Sequence, residues 1–126
     1  NFKGSRSQNQ VYNKEKFSAW GGALTTASNL VFFGTLDRWF KAVDAQSGKE
    51  LWKFQVGSGV IGNAFTYGHK GKQHVGVLSG IGGWAGVAMN LGMTNPTDAL
   101  GAAGGYAELV KYNAAPGGGA LTVFKL

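Results

Sequence analysis

Residues 42–52 read Ala-Val-Asp-Ala-Gln-Ser-Gly-Lys-Glu-Leu-Trp, and they are the most informative part of the sequence about the fold. The pattern is that of a β-strand ending in an aspartate, a tight turn with Ser-Gly at its corner, and a second strand that carries a tryptophan. Gly48 suits a turn position that needs a positive φ, and Ser47 can hydrogen-bond the local backbone. We therefore expect Asp44 to accept backbone hydrogen bonds at the turn and Trp52 to lie flat against a neighbouring sheet.

Further strand patterns lie on both sides of this corner, separated by short polar connections. Together they predict one complete four-stranded antiparallel blade followed by three strands of a second blade. The strands of the first blade are predicted at 23–27, 30–34, 39–44 and 49–55. Those of the second are predicted at 64–68, 74–79 and 120–126, with a hairpin turn at 69–72.

A Gly-rich excursion at 80–119 interrupts the second blade and holds half of the chain's 22 glycines. It is too long for a hairpin loop, and excursions of this length are usually functional. Residues 95–98 look like a helix start, where Asp98 would complement the helix dipole. Residues 106–112 predict a short helix, whereas no helix is predicted directly after the Gly80–Ala85 stretch.

The composition fits a sheet protein with tight turns. Of the 126 residues, 14% are charged and 13% aromatic, against about 25% charged in an ordinary domain. The net charge of +6 is spread along the chain without a basic stripe, which argues against nucleic-acid binding. There is no cysteine, hence no disulfide or thiolate metal site, and no apolar run of the ~18 residues that a spanning helix needs.

The pattern thus predicts an all-β fold that forms part of a β-propeller. Strands with one apolar face must bury it against a neighbour, and two blades alone leave both outer faces uncovered. A closed ring needs about four to eight blades. We therefore expect a piece of a longer chain, with a two-blade module that dimerises or completes a partner's ring as the alternative.

Several motifs together resemble one family. The turn at 44–52 is similar to the tryptophan-docking motif of quinoprotein propellers. From residue 14 to 126 the chain resembles the C-terminal part of the pyrroloquinoline-quinone (PQQ) methanol and ethanol dehydrogenases, and within them the lanthanide-dependent methanol dehydrogenases. Residues 1–13 depart from the pattern and are expected to be divergent or disordered. The motifs that carry the resemblance are at 15–22, 31–42, 59–63, 79–86, 101–106 and 121–124.

The resemblance implies an eight-bladed propeller with PQQ on its axis, of which this chain would form the last one and a half to two blades. It implies oxidation of methanol or another primary alcohol in the periplasm, with electrons passed to a cytochrome c. A calcium or lanthanide ion would polarise the quinone. The metal ligands and the catalytic base would lie in upstream blades, so the chain alone is expected to be inactive. A homodimer of the full-length enzyme is a further expectation.

Three residues are candidate cofactor contacts: Trp20, Gly83 and Trp84. The Gly82-Gly83 pair lets the backbone approach a flat ligand, because no Cβ obstructs it. An indole face can stack on a planar quinone, and its N–H can donate to an oxygen. The alternative is that each tryptophan fills the core. The resemblance implies that the tryptophans of these two motifs line the PQQ site.

Other conspicuous residues are expected to be structural. We interpret Trp52 as docking two blades, Trp39 as core or interblade packing, and Asp37 as a turn residue. His69 and His74 lie on adjacent strands without further ligands, so solvent exposure is favoured over a metal site. Two other functions stay open: a propeller scaffold such as an outer-membrane assembly lipoprotein, which needs no Trp on a Gly-Gly turn, and a sugar or polyol quinoprotein dehydrogenase.

Overall fold

The computed structural model describes Phe17 and residues 19–97, 101–112 and 118–126. These residues form two antiparallel sheets, with strand orders β1-β2-β3-β4 and β5-β6-β7. One complete blade and three strands of a second were predicted, and both are confirmed. The strands are β1 Leu24–Thr25, β2 Leu30–Gly34, β3 Trp39–Asp44, β4 Glu50–Gln55, β5 Phe65–His69, β6 Lys72–Ser79 and β7 Ala120–Lys125. The helices are α1 Gly83–Asn90, α2 Gly101–Tyr106 and a 3₁₀ helix at Ala107–Tyr112.

The corner between β3 and β4 has the predicted chemistry. Gly48 has φ 69°. The Oδ1 atom of Asp44 accepts hydrogen bonds from the backbone N–H groups of Gln46 (3.1 Å) and Ser47 (2.7 Å), and from the Ser47 hydroxyl (2.7 Å). The Ser47 hydroxyl, followed by its backbone N–H, lowers the pKa of the Asp44 carboxyl. The carboxylate therefore stays ionised and fixes the turn.

The two sheets pack face to face through an aromatic cluster of Phe32, Phe40, Trp52, Phe54 and Phe124. Phe40 is fully buried, and its ring stacks on Phe124 of the other sheet with centroids 5.7 Å apart. Trp52 also reaches Phe124, at 4.9 Å and an interplanar angle of 79°. Trp52 therefore docks one sheet onto the next, as predicted, although it meets this ring edge-on and stays 38% exposed.

Trp39 is not part of this core. It is half-buried on the opposite face of the first sheet from Phe40, and the Lys53 ammonium lies 5.1 Å from its ring centroid. Glu50 forms ion pairs with Lys53 and Lys41, both at 3.3 Å. Core packing of Trp39 does not occur within the described residues, because the strand alternates and only one of its faces meets the second sheet. The other half of the interpretation, packing of Trp39 against a further blade, stays a prediction.

The described part of the excursion at 80–119 forms a helical layer. A small core of this layer buries five residues together: Phe17, Leu36, Ala85, Met89 and Leu109. The expectation that no helix opens after Gly80–Ala85 is wrong, since α1 begins at Gly83. Its two glycines mask the helical pattern, and burial of one apolar face outweighs their low helix propensity.

Two further helix predictions have different outcomes. The Thr97 N–H donates to Asn95 Oδ1 at 3.1 Å, which is the bond that an N-cap side chain accepts. Residues 98–100 lie outside the described residues, so the helix start at 95–98 stays a prediction. The short helix predicted at 106–112 is confirmed as a 3₁₀ helix that follows α2. Asp98 and the N-terminal segment 1–13 lie outside the described residues.

Among the described residues, none covers the outer face of the second sheet. Strand register places Phe65, Tyr67, Leu78, Leu121 and Val123 on this face, and each is at least 40% exposed. Val75 and Val77, which point to the other face of β6, are fully buried against the first sheet. Among the described residues, no helix is long and apolar enough to cross a membrane.

Candidate functional site

One end of the two sheets gathers the segments that carry the candidate residues. Here the N–H of Val60 donates to Thr35 O at 2.9 Å, and the N–H of Gly80 donates to Gly59 O at 2.7 Å. Val60 and Gly80 also form an isolated parallel bridge. The ends of β2 and β6 are thereby tied together by the connection at 56–63, and the helical layer begins at this point.

The first turn of α1 presents Trp84 next to a glycine in a left-handed conformation. Gly83 has φ +54°, which a side chain would make strained, and the space around the position of its missing Cβ is open. Gly82 is the N-cap residue, and no side chain caps the helix. The first N–H groups of α1 therefore carry the partial positive charge of an uncapped helix start. Trp84 is 69% exposed beside them.

Trp20 lies just before β1 and is fixed by the helical layer. Its indole Nε1–H donates to the hydroxyl of Tyr106, the last residue of α2, at 2.7 Å. The neighbouring Gly22 N–H donates to Asn63 Oδ1 at 2.6 Å, which ties the segment to the connection between the sheets. Trp20 remains 43% exposed.

This arrangement changes the expected chemistry of Trp20. Because its N–H already donates to Tyr106, the predicted donation from this N–H to a quinone oxygen is not available in this conformation. The ring of Trp20 is still open to a ligand. Sequence reasoning missed Tyr106 as a partner, since 86 residues separate it from Trp20 and its only local signal is that of a short helix.

Within the described residues, both candidate tryptophans are exposed. Trp20 and Trp84 lie outside the two buried clusters that these residues form. An exposed indole face, an open glycine and an uncapped helix start together suit a flat, anionic ligand. The residues present therefore fit a quinone that bears carboxylates, although their contact with PQQ stays a prediction.

The carboxylates that the structure describes serve the fold. Asp37 accepts from the Thr35 hydroxyl at 2.6 Å, which confirms its turn role. Asp44 holds its own turn, Glu50 pairs with two lysines, and Glu108 pairs with Lys111 at 3.6 Å. No cluster of three or more metal-ligating side chains occurs in the described residues.

The two histidines pack as aromatic groups. His69 and His74 face each other across β5 and β6 with ring centroids 6.0 Å apart. Tyr67 stacks on His74 at 5.1 Å. His69 is exposed as expected, but His74 is half-buried, so solvent exposure was the wrong description for His74. Its ring packs against Tyr67 because alternate residues of paired strands share a face.

Comparison with known proteins decides the family. Residues 4–75 match the profile of the PQQ family, described as glucose/ethanol/alcohol dehydrogenase, beta-propeller domain. The chain belongs to this family. The resemblance and the partial-propeller fold predicted from the sequence are therefore confirmed.

Individual members of the PQQ dehydrogenase family support a narrower placement. The chain is 60% identical over 114 residues to the lanthanide-dependent methanol dehydrogenase of Methylorubrum extorquens, covering 90% of this chain and 19% of that protein. It is 47% identical over 112 residues to "methanol dehydrogenase [cytochrome c] subunit 1" of Methylobacterium organophilum, covering 89% and 18%.

A solved structure agrees with these sequence matches. A europium-containing methanol dehydrogenase superimposes with a TM-score of 0.75 at 49% identity, over 87% of this chain and 20% of that one. The chain thus spans about a fifth of the length of the relatives it matches. All three of these relatives are dehydrogenases, and this favours the enzyme interpretation over a propeller scaffold.

Proposed function

We propose that this chain is the C-terminal part of a PQQ- and metal-dependent alcohol dehydrogenase that oxidises methanol or another primary alcohol. The observation that carries the proposal is the exposed Trp84 beside the open Gly83 at the uncapped start of α1. The identity of 60% to a lanthanide-dependent methanol dehydrogenase supports it. Upstream blades of the same protein complete the ring and cover the exposed outer face of β5-β6-β7.

In this proposal the described residues form part of the wall of the PQQ chamber. Trp20 presents its ring, Gly83 permits close approach of the backbone, and Trp84 packs its indole on the flat ligand. The uncapped N–H groups at the start of α1 interact favourably with a negatively charged group of the ligand. PQQ, when bound, supplies the two-electron chemistry of alcohol oxidation. The chain's own contribution is to orient the quinone and to exclude water from it.

The relatives' names support a proposal for the metal and for the electron acceptor. We propose a lanthanide in preference to calcium, because identity is higher to the protein named lanthanide-dependent (60%) than to the cytochrome c-linked subunit (47%). The metal ligands and the catalytic base belong to the upstream blades. We further propose a cytochrome c as acceptor, a periplasmic location and a homodimer of the full-length enzyme.

An assay of the full-length protein tests this function. The gene is extended upstream of the codon for Asn1, and the protein is loaded with PQQ and either a light lanthanide or calcium. Methanol turnover is measured with a dye acceptor, and glucose serves as the alternative substrate. We expect methanol oxidation that is faster with the lanthanide. Glucose oxidation without methanol oxidation would instead establish the sugar dehydrogenase, and an absence of PQQ binding would refute the quinoprotein function.

Replacing Trp84 is expected to weaken PQQ retention. Trp84→Ala removes a large exposed indole, whose stacking on a planar ligand is worth about 1–3 kcal/mol by analogy with base stacking on aromatic side chains. The affinity for PQQ, measured as PQQ content per polypeptide after dialysis against graded volumes, should therefore fall by roughly 5- to 150-fold. Leu91→Ala is the matched control, because Leu91 is also an exposed apolar residue (65%) but lies at the other end of α1. Equal PQQ content in the Trp84 variant and wild type would exclude the contact.

A further inference from the structure

The indole of Trp20 is held by a specific hydrogen bond from another part of the fold. Its Nε1–H donates to the Tyr106 hydroxyl at 2.7 Å. The two rings meet edge to face, with centroids 5.5 Å apart and an interplanar angle of 78°. A tryptophan side chain has one donor and no acceptor, so this bond uses its whole hydrogen-bonding capacity.

Tyr106 is itself anchored in the core of the helical layer. Its ring packs against Phe17 with the ring centroids 6.3 Å apart, and Phe17 packs against Tyr112 with the ring centroids 5.8 Å apart. Phe17 is 8% exposed and belongs to the buried cluster of this layer, to which Tyr106 adds its partly buried ring. The Tyr106 hydroxyl, which accepts the Trp20 N–H, is therefore held in place by the packing of its ring.

The second candidate tryptophan has no such restraint from the residues that the structure describes. The Trp84 indole, which is 69% exposed, makes no hydrogen bond within the described part of the chain. Trp20 is also well exposed, at 43%, yet its orientation is set. An exposed indole without a partner samples several rotamers, whereas a bonded one keeps a single orientation. The two tryptophans therefore present different degrees of preorganisation to a ligand.

We infer that Tyr106 is a positioning residue that orients the Trp20 ring toward PQQ, so that Trp20 contributes its aromatic surface and not its N–H. This inference rests on the proposed function. It assigns a role in the cofactor site to a residue of the helical excursion that acts only through Trp20. The excursion would thus serve to fix a wall of the chamber, besides carrying Trp84.

The test uses the full-length, PQQ-loaded protein with Tyr106→Phe, which keeps the ring and removes only the acceptor hydroxyl. Loss of one such hydrogen bond costs about 0.5–1.5 kcal/mol, so PQQ should dissociate roughly two- to tenfold faster during dialysis. The absorption band of the bound quinone should shift as well, because the neighbouring indole reorients. Tyr112→Phe is the matched control, since Tyr112 packs on the same Phe17 and is not bonded to Trp20.

A double-mutant cycle separates positioning from general stability. In a Trp20→Phe background there is no indole N–H, so adding Tyr106→Phe should change PQQ dissociation little further. Equal retention and an unshifted band in Tyr106→Phe, with PQQ bound normally by wild type, would overturn the inference alone. Faster loss in Tyr112→Phe to the same extent would also overturn it. Failure of wild type to bind PQQ would instead overturn the proposed function, and the inference with it.

Discussion

The isolated 126-residue chain is expected to show no alcohol dehydrogenase turnover, even with PQQ, a metal ion and methanol supplied. The four carboxylates that the structure describes are engaged in turns or ion pairs, so none of these four is available as the general base that alcohol oxidation needs. The chain also spans only 19% of a dehydrogenase to which it is 60% identical. In the proposed function, the remaining walls of the cofactor chamber come from the rest of that architecture.

The measurement is dye reduction by the isolated chain beside the full-length enzyme at equal molar concentration. A heat-treated sample and a blank without protein set the baseline. We expect the full-length enzyme to turn over and the isolated chain to stay at the blank. Turnover by the isolated chain above both baselines would contradict the proposed division of labour, because the base and the metal ligands would then have to lie within these residues.

Replacing Phe40 by alanine is expected to cost about 3–5 kcal/mol of stability, as for other buried Phe→Ala changes. Phe40 is fully buried, and its ring centroid lies 5.9 Å from Phe32, 5.7 Å from Phe124 and 6.1 Å from Trp52. Its removal therefore leaves a cavity at the contact between the two sheets. The midpoint of thermal unfolding of the full-length protein should fall by several degrees.

Phe54→Ala provides the comparison within the same cluster. The Phe54 ring centroid lies 5.1 Å from that of Phe124, but Phe54 is 45% exposed in this chain. Phe54→Ala therefore removes less buried apolar area than Phe40→Ala, and it should lower the stability by about half as much. Far-ultraviolet circular dichroism at low temperature checks that both variants fold. A Phe40 variant that unfolds at the wild-type midpoint would show that the sheets are not held together at this cluster.

The strands were predictable because their signals are local. The Asp44–Gly48 corner, the alternation along β2 and β3, and the two-residue turn at Lys70–Gly71 each specify backbone conformation within a few residues. Trp52 was correctly interpreted as docking the two sheets, since its place in the motif put it on the face that points toward the next sheet. The helix α1 was missed because its glycines obscure the helical spacing of its apolar residues. The apolar face of α1 becomes apparent only from the burial of Ala85 and Met89 in the helical layer.

The candidate site divides in the same way. The sequence alone led to the prediction of the candidate residues: Gly83 for backbone approach, and Trp20 and Trp84 as planar surfaces. Three features became visible only in the folded chain. They are the side of the first sheet on which Trp39 lies, the exposure of Trp84 at the start of α1, and the hydrogen bond from the Trp20 N–H to Tyr106. A turn is fixed by neighbours in the chain, whereas a hydrogen bond across 86 residues exists only once the helical layer has packed onto the sheets.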